Sequence, residues 1–230
     1  GKVYEGGQHG FARDLEHRLV SQTANELTFE LTSGGETYVY FPYDFALRST
    51  YTLEGRRISH SVAVRNTGKG TLRFGFGYHP GFALPFDDAH TAEDYDVVFD
   101  TVESPLCLNT APNGLVCASP DYYLARNVDR IPLSAKLFAH DSHCMVNLKS
   151  KTMSVVERDT GRRIVVDIAD FPYTLIWSTP QEPMRFICIE PWHSIPGEDN
   201  GPIEWEKKPC AASLAPNEMW QTTLNMTFER

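Results

Sequence analysis

Apolar and polar side chains alternate along most of this chain, and no long stretch keeps the three-to-four-residue recurrence of an amphipathic helix. Leu27, Phe29 and Leu31 fall on one side of one strand. Phe45, Leu47, Tyr51 and Leu53 share a side of another, with Arg48, Thr50 and Thr52 opposite. Ile58, Val62 and Val64 make a third stripe, and near the end Trp220, Leu224, Met226 and Phe228 alternate with Gln221, Thr223, Asn225 and Thr227. Such half-buried strands belong to antiparallel sheets. Between them Ser33-Gly34-Gly35, Asn66-Thr67-Gly68-Lys69-Gly70 and Asp159-Thr160-Gly161 supply residues that tolerate the positive φ of tight turns. The pattern predicts an all-β chain built as a sandwich or barrel. From Pro105 to Leu133 alternation weakens and Pro, Asn and Asp accumulate, which predicts long connections holding one or two strands. With no internal repeat or low-complexity linker, one domain over residues 1–230 is expected.

Composition narrows the picture. A chain of 230 residues, 41% of them hydrophobic, can bury one substantial core. A formal net charge of −9 disfavours nucleic acid or an anionic membrane as partner, because both reward a basic face. No apolar run approaches the roughly 18 residues of a membrane span, and G-K-V-Y-E-G-G-Q lacks the apolar centre of a signal peptide, so a soluble cytoplasmic protein is expected. Cys107, Cys117, Cys144, Cys188 and Cys210 are odd in number and form no C-x-x-C pair, which predicts reduced, mostly buried thiols. His140, Asp141, His143 and Cys144 cluster in sequence with ligand-capable side chains. On a strand, however, residues three apart face opposite ways, so no metal is expected there.

Candidate chemistry concentrates in three stretches. In R-F-I-C-I-E-P-W-H-S-I-P-G, Arg185–Gly197, an apolar run delivers Glu190 to the residue before Pro191. Proline lacks a ladder N–H, so the strand is expected to stop there with Glu190 held extended at its mouth. In the stretch from Leu72 to Phe82, Leu72, Phe74, Phe76 and Tyr78 share one face, while Gly75, Gly77 and His79 share the other. The glycines are expected to clear room for something to approach beside His79, which also precedes a proline and should end its strand. His60, on an apolar stripe, reads as a structural histidine. In Q-H-G-F-A-R-D, Gln8 and Arg13 offer fork-like donors to hydroxyl or phosphate oxygens. With ordinary pKa values of about 4.3 and about 6.5, Glu190 is ionised at pH 7 and His79 partly protonated, so Glu190 suits a base and His79 an acid. No G-x-S-x-G elbow, P-loop or H-E-x-x-H motif supports a rival chemistry.

The motifs Q-H-G-F-A-R-D, G-Y-H-P-G-F-A-L-P-F, D-F-P-Y-T-L-I-W-S and C-I-E-P-W-H-S-I-P-G, in that order, resemble the aldose 1-epimerase (galactose mutarotase-like) superfamily, with a closer likeness to the bacterial branch near the hexose-6-phosphate 1-epimerases. The resemblance implies a large antiparallel two-sheet β-sandwich with the sugar on a concave sheet face, and interconversion of α and β anomers of an aldose. Glu190 would take the proton of the anomeric hydroxyl and His79 would protonate the ring oxygen, with no cofactor. It further implies that His9 assists catalysis, that Gln8 and Arg13 bind substrate hydroxyls or a phosphate, and that Asp141 holds sugar hydroxyls. Trp177 and Trp192 could offer faces to a sugar ring. The expected partner is a small sugar or sugar phosphate, with the chain a monomer or homodimer. Two departures stand out. The resemblance implies opening strands and a substrate-reaching Arg ahead of the His-Gly motif, whereas only Gly1 to Gly7 precede Gln8 here, so those strands are expected to be missing. His193 stands where the branch often has an aromatic or other residue, which reads as loop variation. A non-catalytic carbohydrate-binding protein on the same fold is the alternative. An inverting glycosidase would need a second carboxylate facing Glu190 at roughly 6.5–9.5 Å.

Overall fold

The alternation becomes seventeen strands in a computed structural model, which describes residues 2–110, 113–199, 204–208 and 211–230. Helical elements among the described residues are single turns of three or four residues, and none is long and apolar enough to cross a membrane. Two compact units are distinguished: residues 1–74 with 212–225, and residues 75–211 with 226–230.

The first unit holds β1 (Arg18–Gln22), β2 (Glu26–Thr32), β3 (Phe45–Glu54), β4 (Arg57–Asn66) and β5 (Leu72–Phe74). The second holds β6 (Gly81–Ala83), β7 (Tyr95–Glu103), β8 (Leu106–Leu108), β9 (Tyr122–Tyr123), β10 (Val128–Pro132), β11 (His143–Val146), β12 (Thr152–Glu157), β13 (Arg163–Asp167), β14 (Tyr173–Trp177) and β15 (Phe186–Trp192). Of the last two strands, β16 (Ala212–Leu214) belongs to the first unit, while β17 (Met219–Glu229) starts in the first and ends in the second. The stretch expected to carry one or two strands therefore carries three, β8 to β10, all short.

In the first unit the strands run in the order β1-β2-β3-β4-β17, with β5 and β16 as a separate pair. Burial here follows position along the strand as well as parity. Leu31, Phe45, Val62 and Val64 are buried, but Leu27, Tyr51 and Leu53 of the expected stripes are exposed. Thr28, on the opposite face, is buried, its hydroxyl 2.9 Å from that of Thr50. His60 is structural: Nε2 lies 2.7 Å from Ser49 Oγ, the ring stacks on Tyr51, and burial drops its pKa to about 4.

The second unit contains two antiparallel sheets. One runs β17-β13-β12-β7-β10 and the other β6-β15-β14-β11-β8-β9. In the first of these, Val97 pairs with Val155 and Val155 with Ile164, and Phe99 pairs with Met153 and Met153 with Val166, so one face is apolar and buried. In the second, Ile176 pairs with Ile189, Met145 with Cys107, and Ile187 with Phe82, again all buried. Two sheets with one apolar face each bury those faces as the core of a sandwich. Period-two geometry then fixes what the second sheet shows on its other face: Leu175, Trp177, Cys188, Glu190 and Trp192.

Candidate active site

β15 organises the site. It pairs with β14 on one side, Glu190 opposite Leu175, and with β6 on the other, Phe186 opposite Ala83 and Cys188 opposite Gly81. The bridge between Gly77 and Trp192 keeps that second register. His79 consequently lies opposite Glu190 with both side chains on one face, and its Nε2 is 3.4 Å from Glu190 Oε2. The histidine is about a third exposed and the carboxyl almost wholly buried, at 31% and 3%.

Two local expectations are corrected. β15 does not stop at Pro191 but runs on to Trp192. The missing proline N–H faces Tyr78, whose own N–H donates to the Pro191 carbonyl at 3.0 Å. The Tyr78 carbonyl, which a non-proline at 191 could have satisfied, instead accepts the Trp192 indole N–H at 3.0 Å. A side chain replaces the absent ladder bond. Likewise His79 does not end a strand. β5 closes at Phe74, and His79 lies in the segment running along β15 before β6 begins.

The glycines do clear space, but this chain's own side chains fill it. A Cβ on Gly77 would fall 2.3 Å from Trp192 Cδ1, and one on Gly75 2.8 Å from Ser194 Oγ. Ser194 Oγ in turn accepts the Phe76 N–H at 2.9 Å, and the His193 N–H donates to the Phe76 carbonyl at 3.0 Å. His193 packs its ring against Phe171, 4.6 Å between centroids, and burial lowers its pKa.

Electrostatics alter the expected charge state. Burial, and then the negative charge of Asp141, lift Glu190 to about 8, so in the free protein it is mostly protonated at pH 7 rather than ionised. Asp141, at positive φ of 84° in the loop before β11, is therefore close enough to act on Glu190 electrostatically. Trp177 stands edge-on to His79, with ring centroids 6.1 Å apart. His143 is committed to structure, with Nδ1 2.7 Å from the Tyr122 hydroxyl and Nε2 2.7 Å from the Leu137 carbonyl, and it has no free nitrogen for a metal. Cys107, Cys144 and Cys188 are buried free thiols, Cys117 is half-buried, and Cys210 lies outside the described residues.

Gln8, His9 and Arg13 belong to the first unit. Positive φ at His9 and Gly10 folds their loop back, and Phe11 anchors it, its ring centroid 5.9 Å from that of Tyr40 and 5.8 Å from that of Phe41. All three polar residues are largely exposed; Arg13 pairs loosely with Asp14 at 3.5 Å, and the His9 pKa is lowered by the partial desolvation of its ring and then by Arg13.

The profile of the family described as Aldose 1-epimerase matches residues 2–226. This chain belongs to the aldose 1-epimerase family. Protein LacX of Lactococcus lactis is 30% identical over 224 residues, covering 96% of this chain and 74% of the relative. The X-ray structure of a galactose mutarotase related enzyme from Lactobacillus acidophilus superposes with a TM-score of 0.89 at 28% identity, covering 100% of this chain and 76% of that one. A galactose mutarotase-like protein from Lactobacillus casei shares the fold, with a TM-score of 0.87 at 24% identity over 99% of this chain and 78% of that one. The fold is thus the antiparallel multi-sheet sandwich of galactose mutarotase-like structures. Within the site, the sequence reading passed over Cys188. The signal was present, because Cys188 and Glu190 are two apart on one strand and so share a face.

Proposed function

We propose that this member of the aldose 1-epimerase family interconverts the α and β anomers of an aldohexose or hexose phosphate, with Glu190 as base and His79 as acid. The observation that carries the reading is the His79 Nε2 to Glu190 Oε2 contact of 3.4 Å on a sheet face that also presents Trp177. The Glu190 carboxylate takes the proton of the anomeric hydroxyl, and the His79 imidazolium gives one to the ring oxygen. The C1–O5 bond breaks to leave the open-chain aldehyde. Rotation about C1–C2 presents the other carbonyl face, and reclosure returns both protons to where they began. After ring opening Glu190 is protonated and His79 neutral, the charge distribution that a buried carboxyl favours. A carboxylate whose acid form titrates near 8 is also a stronger base than an ordinary one. Asp141 holds sugar hydroxyls in this reading. Gln8, His9 and Arg13 have the chemistry to bind hydroxyls or a phosphate, with His9 assisting proton transfer. No cofactor is required.

Saturation-transfer NMR of anomer exchange with glucose, galactose and glucose 6-phosphate tests the proposal. Catalysed exchange that disappears in Glu190→Gln and His79→Asn is expected. Exchange at the buffer rate with every sugar, alongside measurable sugar binding, would assign the protein to carbohydrate binding without catalysis. A preference for glucose 6-phosphate that inorganic phosphate erodes, more so at low ionic strength, would place it with the hexose-6-phosphate branch.

A further inference from the structure

We propose that His79, Cys188 and Glu190 form a binding site for one zinc(II) ion within the candidate active site, and that its occupancy stops proton transfer there. One ring nitrogen of His79, the Cys188 Sγ and a Glu190 carboxylate oxygen all lie within 4.8 Å of one another. Ligands around a tetrahedral zinc with bonds of about 2.0–2.3 Å stand roughly 3.3–3.6 Å apart. The His79–Glu190 separation is already 3.4 Å, and the sulfur, within 4.8 Å of both, has at most about 1.5 Å to move to reach ligand distance. Gly81 lies opposite Cys188, and a Cβ there would stand in van der Waals contact with the sulfur, 3.4 Å from Sγ. The donor set of one imidazole, one thiol and one carboxyl, with a fourth position left for water, suits zinc and excludes magnesium or calcium, which take oxygen ligands.

Charge supports the same choice. A thiolate and a carboxylate balance a divalent ion, so the ion and its three ligands carry no net charge, which suits the buried Cys188 and Glu190. Binding replaces protons, the thiol and any protonated carboxyl releasing theirs to solvent, and affinity must rise with pH. The second three-group cluster among the described residues, Asp87, His90 and Glu157, lacks this character. Arg162 already lies between Asp87 and Glu157, pairing with Glu157 at 2.6 Å, and supplies the positive charge an ion would bring.

Loss of activity on zinc binding rests on the epimerase reading; zinc binding itself does not. The folded chain is titrated with zinc against a chromogenic chelator, and with cobalt(II) followed by absorption. One equivalent per chain is expected, with a thiolate-to-cobalt charge-transfer band in the near ultraviolet that Cys188→Ser abolishes. Cys188→Ala and His79→Asn should weaken zinc binding at least tenfold, and Asp87→Asn should leave it unchanged. Affinity indifferent to Cys188→Ala, or lost in Asp87→Asn, overturns the site. In the anomer-exchange assay zinc should silence the unmodified protein reversibly to chelation, while Cys188→Ala continues to turn over at the same zinc concentration. Undiminished exchange at saturating zinc overturns the shut-off. Zinc binding with the cobalt band but no exchange without metal would sink the epimerase reading and leave the site standing.

Discussion

Glu190 shows how much a single side chain depends on its surroundings. Its identity, its place before a proline and its pairing with His79 could be read from the chain, but its charge state could not, because burial and the nearness of Asp141 are products of the fold. The lifted pKa has a kinetic consequence. If Glu190 is the base and His79 the acid, only the form with Glu190 ionised and His79 protonated reacts, so kcat/KM should follow a bell-shaped pH profile. The lift of Glu190 to about 8 places one limb near pH 8, whereas an ordinary carboxyl would have finished titrating below pH 6. The pH profile of catalysed exchange checks this, and a flat profile from pH 6 to 9 would remove Glu190 from the role. Removing either member of the pair, as Glu190→Gln or His79→Asn, should lower exchange by roughly 10² to 10⁴ with circular dichroism unchanged.

At the scale of elements, the segment from Gly75 to Ala83 and strand β15 form one paired ribbon, and the site exists because the ribbon holds its register past Pro191. The glycine alternation was legible as a small-residue face. What filled that face was not, since the occupants, Trp192 and Ser194, lie over a hundred residues further along. Pro191 misled for a related reason: a proline ends a strand only when its missing donor leaves a partner unsatisfied, and here the Trp192 indole supplies the donor. Two substitutions probe this. Gly77→Ala forces a methyl into the indole and should cost roughly 1–3 kcal/mol. Trp192→Phe leaves the Tyr78 carbonyl without its donor and should cost about 1–3 kcal/mol. Combined with Trp192→Leu, Gly77→Ala should cost less than the sum of the single changes, because the clash has gone. Urea denaturation of the four proteins measures the coupling, and strict additivity would show that the indole does not rest on Gly77.

Across the whole molecule, the all-β class and the order of motifs were visible in the alternation, while the division of burial was not. Leu27, Tyr51 and Leu53 look as apolar as Leu31 and Phe45, yet stay exposed. Two buried ionisable groups give stability a pH dependence of opposite signs. His60, lowered from 6.5 to about 4, contributes stability that is present above 6.5 and lost as pH falls through 4. Glu190, raised from 4.5 to about 8, contributes stability that is complete below 4.5 and lost as pH rises through 8. Between 6.5 and 8 the His60 contribution is constant and the Glu190 contribution drains away. His90, held up to about 9 by Asp87 and then Asp159, tilts the same way, so the informative quantity is the difference from a variant that lacks only the Glu190 charge. Glu190→Gln keeps the shape of the protonated carboxyl and cannot ionise. Relative to it, the unmodified protein should lose about 1.5 kcal/mol on going from pH 6.5 to pH 8, from about 1.4 kcal/mol for each pH unit in which the unfolded chain alone is ionised. Urea midpoints of the two proteins at pH 6.5, 7.2 and 8 test this. Parallel midpoints would mean that Glu190 is ionised in the folded chain throughout, and would return it to the ordinary carboxylate that the sequence led one to expect.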